Sequence, residues 1–319
     1  MKILITGCLG VLGINFIKII QNKKLSLVCI DKKKQTTYFK RLNLKKKINK
    51  FIPIDFNNKK KISNLLKKEN FDVIFHFGAI TQVLDALENP YENYNTNILG
   101  TINFLETIKN LKKKPLFVFS SSDKAYGNLK KNEMYKETFA LKGDFPYDAS
   151  KSCADIICQS YSKTFGLKIA ILRSGNIFGP GDFNLDRLIP HVILRLLKNK
   201  EPLIRSNGKL IRDYIFVEDV ANAYFKTMLK LKKSKNKLLI YNIGSKYNLS
   251  VIKVVAAINK IIGKSISPKI LNKSKREIFY QKLNFSKIQK ELKWKPFYSF
   301  EQGMKITIDW YKKNIDLFS

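Results

Sequence analysis

Acidic residues, arginine, histidine, cysteine and long apolar runs are all scarce in this 319-residue chain. Each shortage excludes something. Two histidines, and four cysteines (Cys8, Cys29, Cys153 and Cys158) without CxxC spacing, give no reason to expect a zinc site or a disulfide framework. Reduced thiols in a cytoplasmic protein are the default. No apolar run approaches the roughly 18 residues that cross a bilayer, so no membrane partner is expected. Ile5-Thr6-Gly7-Cys8 has the form of a lipoprotein processing box, yet only residues 3–5 precede it as an apolar stretch, against the roughly 7 that a signal needs. The chain has 25 acidic residues against 60 basic ones, a net +35, but only seven of the basic residues are arginine. Proteins that read nucleic acid lean on arginine for bidentate contacts. Here 53 lysines are spread over every surface-like segment. That pattern reads as solvated faces and no nucleic-acid partner, with a field that attracts anionic substrates.

What is present suffices for a core. Apolar residues make up 45% of the chain and aromatics 12%, which excludes wholesale disorder, and the length fits two domains or one large one. Residues 2–6 (KILIT) form an apolar run ended by glycine, a buried strand, and 11–20 carry a helical period. Further strands are predicted at 25–30, 51–54, 73–77, 116–120 and 168–172, with helices near 59–68, 91–110 and 147–165. Lysine-rich stretches at 32–34, 45–47, 59–61 and 112–114 read as loops or helix ends. Strands alternating with helices imply an α/β fold, a parallel sheet covered on both faces. After Arg173 glycine, proline and asparagine cluster over 174–184. Helical periods return at 188–197, 217–230 and 251–262, with a strand and turn over 202–208. Residues 239–243 are apolar enough to rejoin the main sheet.

Gly7, Gly10 and Gly13 fall between the first strand and the first helix. Glycines there permit a tight turn, close approach of the backbone to a pyrophosphate and close helix–strand packing, while the helix N-terminus favours negative charge. The same spacing can serve packing alone. Asp31 strengthens the dinucleotide reading: it ends the second strand, 18 residues after Gly13. Its carboxylate can bond both ribose hydroxyls and repel a 2′-phosphate, which favours NAD over NADP. The lysines at 32–34 argue the other way. Asp55, after the third strand, can reach an adenine or cap its own loop.

Tyr147 and Lys151 stand i, i+4 on a predicted helix and so share a face, where the lysine can draw the phenol's pKa of about 10 toward neutrality. Upstream lies a serine-rich strand end. Its Ser122 can bond a hydroxyl being oxidised, or can cap a turn.

Taken together, GCLGVLG (7–13), NTNILGT (95–101), FSSSDKAYG (119–127), PYDASK (146–151), RSGNIFGPGD (173–182) and RDYIFVEDVANAY (212–224) resemble the extended short-chain dehydrogenase/reductases of the NAD-dependent epimerase/dehydratase family. The resemblance covers essentially the whole chain. One departure is His76-Phe77-Gly78-Ala79, where the family has two alanines after a large apolar residue. The resemblance implies a Rossmann domain (1–173, joined by about 217–243), a doubly wound parallel sheet holding NAD. A smaller α/β domain (174–216 and 244–319) is implied to hold a nucleoside-diphosphate sugar. It places cofactor contacts at Leu12, Phe77, Gly78, Ala79, Asn97 and Ser120 as well as Tyr147 and Lys151. Substrate contacts are implied at Asn176 and Arg212, with Arg187 as a second phosphate or nucleotide contact. A homodimer through the helices near 91–110 and 147–165 is also implied.

The family's opening step has the tyrosine take the sugar C4 hydroxyl proton while hydride passes to NAD. In 4-epimerases the two residues after the catalytic serine are usually small or hydroxyl-bearing; here they are Asp123-Lys124. A 4,6-dehydratase needs an acid and a base there: the dTDP-glucose enzymes use an Asp-Glu pair, and an Asp-Lys pair is similar to that of CDP-glucose 4,6-dehydratases and some UDP-N-acetylglucosamine 4,6-dehydratases. Asp123 is then the acid and Lys124 the candidate base. A surface turn is the alternative use of such a pair, and a 4-epimerase is the alternative reaction. A non-catalytic basic scaffold for RNA or an anionic membrane is a third reading, against which Ser122, Tyr147 and Lys151 all stand.

Overall fold

The computed structural model describes residues 1–21, 24–32, 37–42, 44–128, 130, 133–273 and 277–318. Two of the three lysines at 32–34 therefore lie outside the described residues. The first half runs β1 (Lys2–Thr6), α1 (Val11–Ile20), β2 (Ser26–Asp31), α2 (Thr37–Arg41), β3 (Lys50–Pro53), α3 (Lys59–Glu69), β4 (Val73–His76), α4 (Val83–Glu88), α5 (Pro90–Tyr94), α6 (Gly100–Lys109), β5 (Leu116–Ser122), α7 (Pro146–Phe165) and β6 (Ile169–Ser174). There follow β7 (Asn176–Phe178), α8 (Leu188–Leu197), β8 (Leu203–Ile204), β9 (Ile211–Phe216), α9 (Val217–Lys233), β10 (Leu238–Ile243), β11 (Asn248–Ser250), α10 (Val251–Ile262), β12 (Lys269–Ile270), α11 (Ser286–Leu292) and α12 (Phe300–Lys313).

Seven strands form one parallel sheet in the order β10-β6-β5-β4-β1-β2-β3. The chain moves outward from β1 through β2 to β3, then crosses back to β4 on the other side. A crevice therefore opens at the carboxyl ends of β1 and β4, where ligands bind in open α/β sheets. Side chains alternate across the sheet. Ile3 and Ile5 of β1 join the apolar cluster containing Phe16 of α1 and Val220 of α9, while Leu4 joins the opposite cluster with Leu66 of α3, Phe104 of α6 and Cys158 of α7. The first cluster runs on without a break to Val254, Trp294 and Tyr311, so the C-terminal elements rest on the same core as α1. Beside it, β7 and β11 flank β9 in a three-stranded sheet, and β8 pairs with β12.

The helices at Val11–Ile20, Leu188–Leu197 and Val251–Ile262 fall where their periods place them, and β10 rejoins the main sheet beside β6. The helix expected over 91–110 has a break in its winding. A π-helical turn, Asn95–Leu99, joins α5 to α6 and holds Asn97, an arrangement that often marks functional sites. The segment between β2 and β3, whose lysine stretches read as loops or helix ends, contains α2, whose Tyr38 and Phe39 are buried. Among the described residues no helix is long and apolar enough to cross a membrane, and all four cysteines are free.

Candidate active site

At the crevice, Gly7 turns the chain out of β1 with φ of +64°, and a Cβ there would lie 2.6 Å from the Gly78 backbone. A Cβ at Gly13 would lie 2.4 Å from the Gly7 carbonyl oxygen, so helix α1 packs directly on the turn. At Gly10 it would meet that oxygen at 3.3 Å. Glycine is thus required by backbone conformation at the first position and by close packing at the third. Asp31 accepts a hydrogen bond from the Leu9 amide, 3.2 Å. Asp55 accepts one from the Asn57 amide at 3.0 Å, capping its loop, and pairs with Lys32 at 3.1 Å. Lys32 also reaches Glu92 at 3.3 Å. The one described lysine of the 32–34 run is thereby tied to carboxylates, Asp55 above all, which hold its pKa up.

Phe77, Gly78 and Ala79 leave β4 along the same wall, and Leu12, with the three turn glycines, Asp31 and Asp55, lines the cavity too. A buried chain of hydrogen bonds holds this wall. The Gly78 amide donates to Thr6 Oγ1 (3.0 Å), which contacts His76 Nδ1 (2.9 Å), and His76 Nε2 contacts Thr101 Oγ1 (3.3 Å). Thr101 in turn donates to the Asn97 carbonyl, 2.7 Å. Burial pushes His76 down to about 3, so it is neutral, and the network assigns its proton to Nε2. Asn97 does not line the cavity. Its amide clamps Ile80, accepting from that residue's N–H (2.8 Å) and donating to its carbonyl (3.0 Å), and it also donates to Ser150 Oγ (2.9 Å). It therefore sets the position of the wall.

The opposite wall is built by the end of β5 and the start of α7. Ser120, Ser122, Lys124, Tyr147 and Lys151 all line the cavity. Lys151 donates to the Ser120 carbonyl at 2.9 Å, and burial lowers it to about 8. Tyr147 is not drawn toward neutrality as its spacing from Lys151 led us to expect. Burial pushes it up to about 12, and the groups that pull the other way are Arg187 and Ser122. The helix shares its face as expected, but the Lys151 ammonium is turned to the strand carbonyl. Ser122 Oγ donates to Asp123 Oδ1 (3.1 Å) and accepts from the Lys124 amide (3.2 Å). Asp123 lies beneath the wall, 1% exposed, and burial raises it to about 6; Lys124 is the member of the pair that faces the cavity.

Behind this wall, Arg173 is 1% exposed and donates twice to Asp155, at 2.9 Å from Nε and 2.9 Å from Nη2. Ser121 Oγ donates to the same carboxylate at 2.7 Å. Arg173 also reaches the Tyr126 hydroxyl, which donates to Asn242 at 2.8 Å. Strand β5, the 123–126 turn, α7, β6 and β10 are pinned together at this one network.

The cavity, 1680 Å³, extends from the glycine turn past Asn176 to Arg187 and Arg212. Arg187 pairs with Asp182 at 3.2 Å, and Arg212 with Glu277 at 2.9 Å. Sequence reasoning passed over Asp213, which is fully buried and raised to about 7 by that burial. It accepts from Ser245 N (2.8 Å), Ser245 Oγ (3.0 Å) and Leu283 N (3.3 Å), tying β9 to two later segments. It also passed over Asp148, next to Tyr147, and its signal was only an acid in a first helical turn.

A glycine turn at the switch point of a parallel sheet, facing a serine, tyrosine and lysine, defines an extended short-chain dehydrogenase/reductase. A family model described as GDP-mannose 4,6 dehydratase matches residues 4–307, and the chain belongs to that family. It is 32% identical to the dTDP-glucose 4,6-dehydratase of Shigella flexneri, over 98% of this chain and 93% of that one. Among solved structures, the dTDP-glucose 4,6-dehydratase of Bacillus anthracis in complex with NAD is 27% identical with a TM-score of 0.87, covering 99% of this chain and 98% of its own. The UDP-glucuronic acid 4-epimerase of Bacillus cereus, in complex with UDP-glucuronic acid and NAD, is 27% identical with a TM-score of 0.88, covering 98% and 99%.

Proposed function

We propose that this protein is an NAD-dependent nucleotide-sugar 4,6-dehydratase acting on a CDP-glucose-like substrate. The observation that carries the reading is Lys124 on the cavity wall beside Ser122 and Tyr147, with Asp123 directly beneath. Nicotinamide chemistry fits the cavity, because the Gly7 turn leaves room at the helix terminus and the Asp31 carboxylate stands where a ribose diol would meet it. NAD bound there would supply the hydride acceptor for C4 and the hydride donor for C6.

The rest is the work of this chain. Arg187 and Arg212 receive the diphosphate and Asn176 the sugar end of it. Ser122 bonds the C4 hydroxyl, and Tyr147 accepts its proton in the fraction that stands as phenolate. The C4 ketone acidifies the C5 proton, which the unprotonated amine of Lys124 removes. Asp123 protonates the C6 oxygen, which leaves as water. Residues 1–173 with 217–243 serve the cofactor, and 174–216 with 244–319 serve the sugar nucleotide. The exposed Tyr91, Leu99 and Ile156 on α5, the π turn and α7 support a homodimer, which Ile156→Lys should split in light scattering. The burial of Asp123 favours a second reading, a 4-epimerase that needs no acid.

The test is incubation with CDP-, UDP-, dTDP- and GDP-sugars, read by mass. A product lighter by one water supports the dehydratase. A product of unchanged mass with C4 inverted replaces it with the epimerase.

A further inference from the structure

Asp148 has no place in the mechanism above, yet its surroundings are unusual. It sits in the first turn of α7, directly after Tyr147, and is 1% exposed. An acid at this point of a helix ordinarily answers the helix dipole or reaches back to the capping amide. This one makes no bond to a capping amide, for both carboxylate oxygens are buried without a hydrogen-bond partner. Its near neighbour of opposite charge is Lys124, whose Nζ lies 4.0 Å from Oδ1. The arrangement is enforced from outside. Gly143 packs its backbone onto the helix so closely that a Cβ there would lie 2.3–2.5 Å from Asp148 C and O and Ala149 N. Ser152 fastens both segments, accepting from the Gly143 amide (3.1 Å) and donating to the Ala125 carbonyl (2.8 Å). Asp123, Asp144 and Arg212 are the other charged groups acting on Asp148, and burial outweighs the pull of Lys124, raising it to about 6.

We infer that Asp148 is a positioning residue: its buried carboxylate holds Lys124 as the ammonium at rest and through an N–H contact once that proton is lost, and so aims the free amine at the sugar C5. The inference rests on the dehydratase reading of this site. Asp148 does not line the cavity, whereas Lys124 does, so its effect passes through the lysine. Where the dTDP-glucose enzymes use an Asp-Glu pair, this chain has a lysine, and α7 supplies the carboxylate that fixes its place.

Two measurements test this separately. The first uses no sugar. Trace acetylation of the whole protein by acetic anhydride, read by mass at Lys124 against the exposed Lys60 and Lys114, should show Lys124 about fivefold more reactive in Asp148→Asn than in the wild type. Equal reactivity overturns the ion pair. The second follows the reaction. Asp148→Asn should move the rising limb of the pH profile to lower pH, and at each protein's pH optimum should lower kcat for water loss about ten- to a hundredfold, with KM for the sugar nucleotide within about twofold and bound NADH accumulating on mixing. In Lys124→Ala the same change at Asp148 should add nothing. Unchanged kcat, or additive losses, overturns the positioning role. Asp148→Ser replaces the asparagine variant if that does not fold. If the wild type dehydrates no sugar nucleotide, the reaction assignment falls, and the acetylation result alone decides whether Asp148 holds Lys124.

Discussion

Asp123 offers the sharpest test of the elimination. It is fully buried, one oxygen accepting from Ser122 at 3.1 Å, and burial lifts it to about 6. An acid must carry its proton to act. With a pKa of about 6, roughly half the molecules hold that proton at pH 6, about a tenth at pH 7 and about a hundredth at pH 8. The share of enzyme with this proton in place therefore falls about tenfold per pH unit above pH 7. Asp123→Asn keeps the shape and the Ser122 contact but has no proton to give. General acid catalysis is worth about 10² to 10⁴ in rate, so elimination should fall by that factor, about 3–5.5 kcal/mol of barrier. Oxidation at C4 should persist, since Ser122, Tyr147 and Lys151 are untouched. The assay mixes enzyme and sugar nucleotide in a stopped-flow spectrometer. It follows bound NADH by absorbance, quenches for mass, and locates solvent deuterium at C5. The mutant should show NADH that builds up and stays, with deuterium at C5 and no loss of water. A variant that eliminates water within threefold of the wild type would refute the assignment.

Four further outcomes follow from the same geometry. Tyr147→Phe removes the acceptor for the C4 proton, so NADH should not form on mixing; near-normal turnover would discard the tyrosine–lysine reading. Asp31→Ala should narrow the preference for NAD over NADP in equilibrium titrations, and a wild type that takes both equally would contradict the ribose contact. Gly7→Ala sets a Cβ 2.6 Å from the Gly78 backbone at φ +64°; NAD retention through purification should be lost, and full retention would show that the turn can shift. Asp155→Ala strands the buried Arg173 charge, a loss of about 3–5 kcal/mol, so calorimetry should show Tm lower by about 4–8 °C.

The sheet was legible because its strands are apolar runs with glycine or serine at their ends, as at Thr6-Gly7 and Phe119-Ser120, and a run of that kind has one stable place. The cofactor end of the cavity was legible for a related reason. The spacing of Gly7, Gly10, Gly13 and Asp31 is fixed by backbone contacts that a local sequence contains. What stayed hidden depends on distant residues. Tyr147 gains its high pKa from burial and is opposed by Arg187, forty positions away. The pairing of Lys124 with Asp148 needs the fold to bring a β5 turn against α7. The short strand β12, two residues long, exists only because it pairs with β8, which lies within the strand and turn expected over 202–208. Helix α12 is a plainer omission. Ser299 and Gln302 form a capping box readable as S-x-x-Q, and no weight was given to it.

Gly78 stands where the family carries alanine, and the fold shows what fills the space. A Cβ there would fall 2.1 Å from Cζ of Phe56 and 2.4 Å from Cε2. The ring belongs to the loop after β3, twenty-two positions upstream, and it also meets His76 edge-on at 5.6 Å. The two positions therefore form a single unit of inheritance. Among descendants of a common ancestor, alanine at position 78 and phenylalanine at position 56 should exclude one another. A lineage passing from one pair to the other should shrink residue 56 before it enlarges residue 78. Gly78→Ala alone should be a dead end, and Gly78→Ala with Phe56→Leu a neutral step.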